Sequence, residues 1–171
     1  MKYFATYEIP KHKLLPLIGE EVKNGVTGST TYFIKSFVSD ESIELLKDSK
    51  GIFQIFSNGL LLRVFKNNRT ISIPIPFNQI KRLELIKGKE SIQPIFFFPM
   101  WILLKVGLRI DIARYFRLRY WEYKIEATIL EIETHSATFK LETNGYTFNS
   151  QEEFFAKLTD IQELKIIKPI P

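Results

Sequence analysis

The chain has 171 residues, a net charge of +5 and 45% apolar residues, which suits one domain with a sizeable core. It contains no cysteine, which excludes disulfides, thiolate catalysis and zinc–sulfur sites. Aromatic residues are plentiful, with 15 Phe, 7 Tyr and 2 Trp, and they fit the half-buried surface of a strand.

The first ten residues hold neither a long apolar run nor a small-residue cleavage site, which argues against a signal peptide. Residues 3–9 read as a strand ended by Pro10. Pro16, Gly19, Gly25 and Gly28 then punctuate a loop-rich stretch. The β-branched and aromatic residues of 30–38 read as a strand. DESIELLK at 40–47 reads as a turn or two of helix, with Ser39 or Asp40 as cap and Glu41 and Glu44 against the dipole. From Gly51 the pattern sharpens. A strand over 52–56, a turn at Ser57-Asn58-Gly59 and a strand carrying Leu60, Leu62 and Val64 make a hairpin, with Asn-Gly accepting positive φ. After a turn at 66–69, Ile71, Ile73, Ile75 and Phe77 alternate with Ser72, Pro74 and Pro76. The two prolines cannot donate to a ladder, which predicts that the strand is at an edge or irregular. A further strand spans 79–87 and is closed by Gly88.

Residues 91–99 (SIQPIFFFP) are aromatic and bracketed by proline. Leu104, Val106, Leu108, Ile110 and Ile112 then alternate with Lys105, Gly107, Arg109 and Asp111, which predicts a strand with one wet face. Residues 113–123 have no clean period. Strands follow at 124–134 and 137–143, then a tight turn at Asn144-Gly145 and a strand continuing through 146–148. Ser150 and Glu153 make a capping box, and Phe154, Phe155, Leu158 and Ile161 give the helix behind it an apolar stripe. Residues 164–171 read as a proline-broken tail. Many short antiparallel strands followed by one helix must close into a barrel or bury an apolar face.

The phrases GIFQIFSNGLLLRVF (51–65), ISIPIPFNQIKRLEL (71–85) and ATFKLETNGYTFNSQEEFFAKL (137–158) resemble the pleckstrin-homology-like superfamily, especially GRAM and bacterial PH-like domains. Pro76, Phe77 and Ile80 match that family's middle phrase, and 150–158 matches its closing helix. The resemblance covers about two thirds of the chain. It implies a mainly β fold: a PH-like barrel of two bent antiparallel sheets with a C-terminal capping helix. The expected organisation is a single domain over 1–171, with an N-terminal extension at 1–50 and an insertion-like segment at 91–123. The family's functions are mostly lipid or protein binding, and fold alone transfers none of them.

Catalytic chemistry is sparse. His12 and His135 are the only neutral-pH acid–base groups; the first is expected in a loop, the second at a hairpin turn, and nothing places them together. Glu131 and Glu133 share a strand face that solvation explains better than a metal does. No nucleophile elbow or phosphate-cradling glycine loop is present. The expectation is therefore no enzyme activity, no catalytic residue, no cofactor and no bound metal.

The informative stretch is 92–124. Its first part, IQPIFFFPMWILL, is too short and too proline-broken to span a bilayer as a helix. Its second part interleaves cations with rings, and Arg109, Arg114, Tyr115, Arg117, Arg119, Tyr120 and Trp121 form the candidate interaction surface. Several readings compete. Phe96, Phe97, Phe98, Trp101 and Leu103 could fill the barrel or cover its end, with solvated arginines around them. The segment could face an anionic membrane. It could also anchor a partner protein or a second copy of the chain. Nucleic acid ranks behind these, because no other basic stripe exists. The expected function is a binding module attached peripherally to anionic membrane lipid, with a protein-interaction or self-association scaffold as the alternative. The expected location is the cytoplasm or the inner face of the membrane, with no transmembrane segment.

Overall fold

The computed structural model describes residues 4, 9–22, 30–39, 48–66, 69–158 and 164–167. The helix expected at 40–47 and most of the strand expected at 3–9 lie outside them. In chain order the elements are α1 (Lys11–Ile18), β1 (Tyr32–Ser39), β2 (Lys50–Phe56), β3 (Gly59–Lys66), β4 (Arg69–Pro76), β5 (Ile80–Ile86), β6 (Glu90–Ile92), α2 (Pro99–Lys105), α3 (Ile110–Ala113), β7 (Tyr123–Ile125), β8 (Thr128–Thr134), β9 (Ala137–Thr143), α4 (Phe148–Phe155) and β10 (Leu164–Ile167). Short 3-10 turns at Arg114–Phe116, Tyr120–Glu122 and Gly145–Thr147 join some of them.

Eight strands form one sheet in the order β10-β5-β8-β9-β1-β2-β3-β4, and β6 pairs with β7 in a separate ribbon. This corrects the expected barrel. The edge strands β4 and β10 do not pair with each other, so the sheet stays open, without strong curling, and the architecture is mixed α/β rather than mainly β. The PH-like and GRAM-like description falls with that barrel. One reason lies in the sequence after residue 158. The tail expected there contains β10, which pairs in parallel with β5 from Leu164↔Leu83 to Ile167↔Ile86. An edge strand needs no donors on its outer side, so prolines just beyond it are no obstacle.

Alternation explains the inner face. Phe53, Leu60, Leu62, Ile73, Ile75, Leu83, Leu85, Leu130, Ile132, Phe139 and Leu141 form one buried cluster, closed over by Phe154 and Phe155 of α4. The rings of Phe53 and Phe155 meet edge to face at 6.1 Å. The Tyr32 hydroxyl donates to Gln151 of α4, and burial pushes this phenol well above its ordinary range, so it remains a neutral donor. On the opposite face, Leu14 and Ile18 of α1 pack on Phe56 and Leu61. Cover on both faces accounts for the unbroken Leu60-Leu61-Leu62 run in β3.

Three local expectations change in the same light. The 57–59 turn uses no positive φ. Gly59 is required instead by close approach, because a Cβ there would lie 2.5 Å from Ile18 Cγ2 and 2.7 Å from the Ile75 carbonyl oxygen. Gly59→Ala is expected to destabilise the protein by about 1–3 kcal/mol, since backbone of β4 must move to admit the methyl group; urea unfolding curves measure it. The closing helix starts at Phe148, with Thr147 at its N-cap and Ser150 inside it, because the 3-10 turn at 145–147 already winds the chain. The strand expected through 146–148 is therefore absent.

The strand expected at 104–112 is also absent. Met100, Leu103 and Leu104 stand at spacings of three and four, which fit a helix and not alternation, and Pro99 at the first turn favours the helix. Gly107 then ends it at φ 88°, with Gly107 N–H bonded to the Leu104 carbonyl and Leu108 N–H to the Leu103 carbonyl. Likewise the strand expected at 124–134 is two strands in two different sheets, β7 and β8.

Candidate functional site

Between β5 and β8 the chain leaves the sheet along the β6–β7 ribbon and returns on it. The intervening residues build a small helical lobe. Its own core is Met100, Ala113 and Tyr123, with Leu103, Leu104, Leu108, Ile110 and Ile125 packed around them. That core is too small to bury the aromatic residues threaded through the segment. Twelve of the nineteen large hydrophobics exposed among the described residues therefore fall within 90–125.

The placement of Phe96 and Phe97 corrects one of the sequence readings. They do not fill the sheet's core; they are 64% and 68% exposed, and Phe98 is also exposed. Phe96 and Phe97 rings lie 4.2 Å apart, and both meet Trp101, at 4.7 and 5.4 Å. Phe98 N–H closes a turn onto the Ile95 carbonyl. Within that turn Phe97 has φ 62°, the left-handed region that a bulky residue enters at a cost of roughly 1–2 kcal/mol. Lys105, four residues after Trp101 on α2, sits over the Trp101 ring at 5.7 Å.

Glu122 organises the lobe from inside. It is fully buried, and its carboxylate accepts N–H bonds from Ile95 (3.2 Å), Leu118 (2.6 Å) and Arg119 (2.8 Å). Burial alone would raise its pKa. The three backbone donors, with Arg117 nearby, outweigh burial and hold it below the usual carboxylate range. The lobe's aromatic turn and its basic segment are thus tied to one buried anion. In the sequence Glu122 stands only as a charge opposing the arginines, and its position between Trp121 and Tyr123 is the one local signal of burial.

The seven candidate residues are dispersed over this lobe. Arg109 precedes α3 and pairs with Asp111 at 3.2 Å, both groups being exposed. Arg114 lies over the rings of Tyr115 (5.2 Å) and Tyr123 (5.6 Å). Arg117 is structural: it donates to the Tyr123 carbonyl at 2.7 Å and to the Tyr146 hydroxyl at 2.8 Å, fastening the lobe to the turn before α4. Arg119 lies over Trp121 at 5.8 Å, and Trp121 meets Tyr120 edge to face. Tyr115, Tyr120 and Trp121 are exposed. Residues 90–125 hold Lys105, Arg109, Arg114, Arg117, Arg119 and Lys124 against Glu90, Asp111 and Glu122. Glu90 pairs with Lys87 and Glu122 is buried, so the one other anion of the lobe is Asp111, half-exposed and paired with Arg109.

Elsewhere the geometry offers little chemistry. His12 lies in α1 rather than in a loop. His135 lies at the β8–β9 turn and lines an open groove of about 1020 Å³ with Lys81, Arg82 and Glu133; His12 does not line it. Arg82 is already bonded to Glu84. Glu131 and Glu133 do share the half-exposed face of β8, and Glu131 pairs with Lys140 across the strand at 2.8 Å. Among the described residues, no three of His, Asp and Glu gather as a metal site, and no helix is long and apolar enough to cross a membrane. No protein-family model, curated protein or solved structure matches this chain, so none of the three supports the pleckstrin-homology-like resemblance.

Proposed function

We propose that this protein is a non-enzymatic binding module that attaches peripherally to anionic membrane surfaces through the lobe at 90–125. The observation that supports the reading is the coincidence, on one small lobe, of exposed rings with six cations against three anions, one of them buried. Contiguous exposed apolar surface is uncommon on soluble proteins unless something covers it. Aromatic rings favour the headgroup layer, and each Lys or Arg near an anionic surface contributes about 1 kcal/mol. Protein partners also take aromatic and arginine anchors. The excess of positive charge favours a dense anionic plane over a mixed-charge protein face.

Flotation with vesicles tests the proposal. The folded protein is expected to float with vesicles containing phosphatidylglycerol or phosphatidylserine, to stay behind with pure phosphatidylcholine, and to bind less as salt rises. Failure to float with any anionic vesicle would overturn it and return the lobe to a protein interface.

A further inference from the structure

We infer that Phe96, Phe97 and Trp101 form a hydrophobic wedge that passes beneath the headgroups of an anionic bilayer, with Lys105 held at headgroup level. This inference rests on the attachment proposed above and assigns the penetrating element within it. That element lies outside the basic–aromatic segment at 109–124.

Four observations converge on these residues. The three rings pack in a single cluster, with centroids 4.2, 4.7 and 5.4 Å apart. Phe96 and Phe97 stand largely in solvent, where apolar rings of this size gain nothing without a covering medium. Phe97 occupies a left-handed backbone position at which Gly or Asn would be unstrained. Strain of this kind persists where the surrounding structure over-determines it, and it gathers at functional sites. Here the turn is fixed on both sides, by the Ile95 N–H bond to Glu122 and by Pro99 opening α2. The fourth observation is Lys105, whose ammonium lies 5.7 Å from the Trp101 ring centre. A lysine stem can lie along apolar surface while its charge stays with phosphate oxygens. A protein partner would need a pocket for three rings and an acid beside it. An anionic bilayer supplies both as a continuous medium.

Two measurements decide the matter. The first uses Trp121→Phe, which keeps a ring at that position and leaves Trp101 as the sole tryptophan. Loss of flotation in this variant with the parent still floating would assign penetration to Trp121 and overturn the wedge. With anionic vesicles the Trp101 emission is expected to shift to the blue and to be quenched by lipids brominated along the acyl chain. Flotation with Trp101 still open to aqueous acrylamide would overturn the wedge and leave attachment standing. The second uses Phe97→Gly in the parent chain, which removes the ring and relieves the left-handed strain together. Its affinity for anionic vesicles is expected to fall at least about tenfold, the loss expected when one ring's burial is forfeited. Its melting temperature is expected to stay level or rise. Unchanged affinity in that variant would overturn the wedge, and a folded parent that binds no anionic vesicle would overturn both readings.

Discussion

Glu122→Ala is expected to unfasten the lobe while the sheet stays folded. The substitution removes the shared acceptor of the Ile95, Leu118 and Arg119 N–H groups, which lie partly buried around it. A hydrogen bond to a charged group contributes about 1.5–3 kcal/mol, so with water replacing part of the three the local loss is of the order of 3 kcal/mol. The lobe has little else to offset it, since only Met100, Ala113 and Tyr123 are buried in its apolar core. The sheet draws its stability from a separate and larger cluster. Hydrogen exchange should show fast amides at 95, 118 and 119 with protection unchanged in β2, β3 and β9. Uniform loss of protection would mean that lobe and sheet unfold as one unit. The pH dependence follows from the same contact. The folded pKa of Glu122 lies below its unfolded value, so its contribution is complete above the ordinary carboxylate range. It is lost as pH falls through the folded pKa. Acid loosening of the 95 and 118–119 amides is expected in the parent. In Glu122→Gln, which cannot titrate, any remaining protection should not follow this carboxylate's protonation.

Reversing Lys105, Arg114 and Arg119 together to Glu is expected to lower affinity for anionic vesicles by about a hundredfold or more. Three cations near the surface contribute about 3 kcal/mol, and acids in their place add repulsion. Arg117 is left intact, because it holds the Tyr123 carbonyl and the Tyr146 hydroxyl, and its loss would mix a structural effect with the electrostatic one. Vesicle titration by flotation or light scattering reads the change, with far-UV circular dichroism as the check on folding. Affinity within a factor of about three of the parent would remove these cations from the binding surface, since that is less than 1 kcal/mol.

Several elements were legible in the sequence because their causes are local. The strands β2, β4 and β9 each follow from period-two alternation between turn residues, and alternation puts one face of a strand in the core wherever the strand lies; β3, buried on both faces at 60–62, was marked by the turns that bound it. The apolar stripe of α4 was legible for the same reason, although its start was not. The openness of the sheet was not legible, because closure depends on which edge strands meet, and the parallel pairing of β10 with β5 is non-local. The role of 92–124 was also a tertiary matter. A run of phenylalanines between prolines fits a core as well as a surface. Only the excursion on the β6–β7 ribbon, with a core too small to enclose those rings, left them exposed. The arginines at 109, 114, 117 and 119 could be listed from the sequence, but burial and hydrogen-bond geometry decided their roles. Folding fixed Arg117 as a fastener and gathered three backbone donors from separate turns onto Glu122, a convergence that residue spacing does not encode.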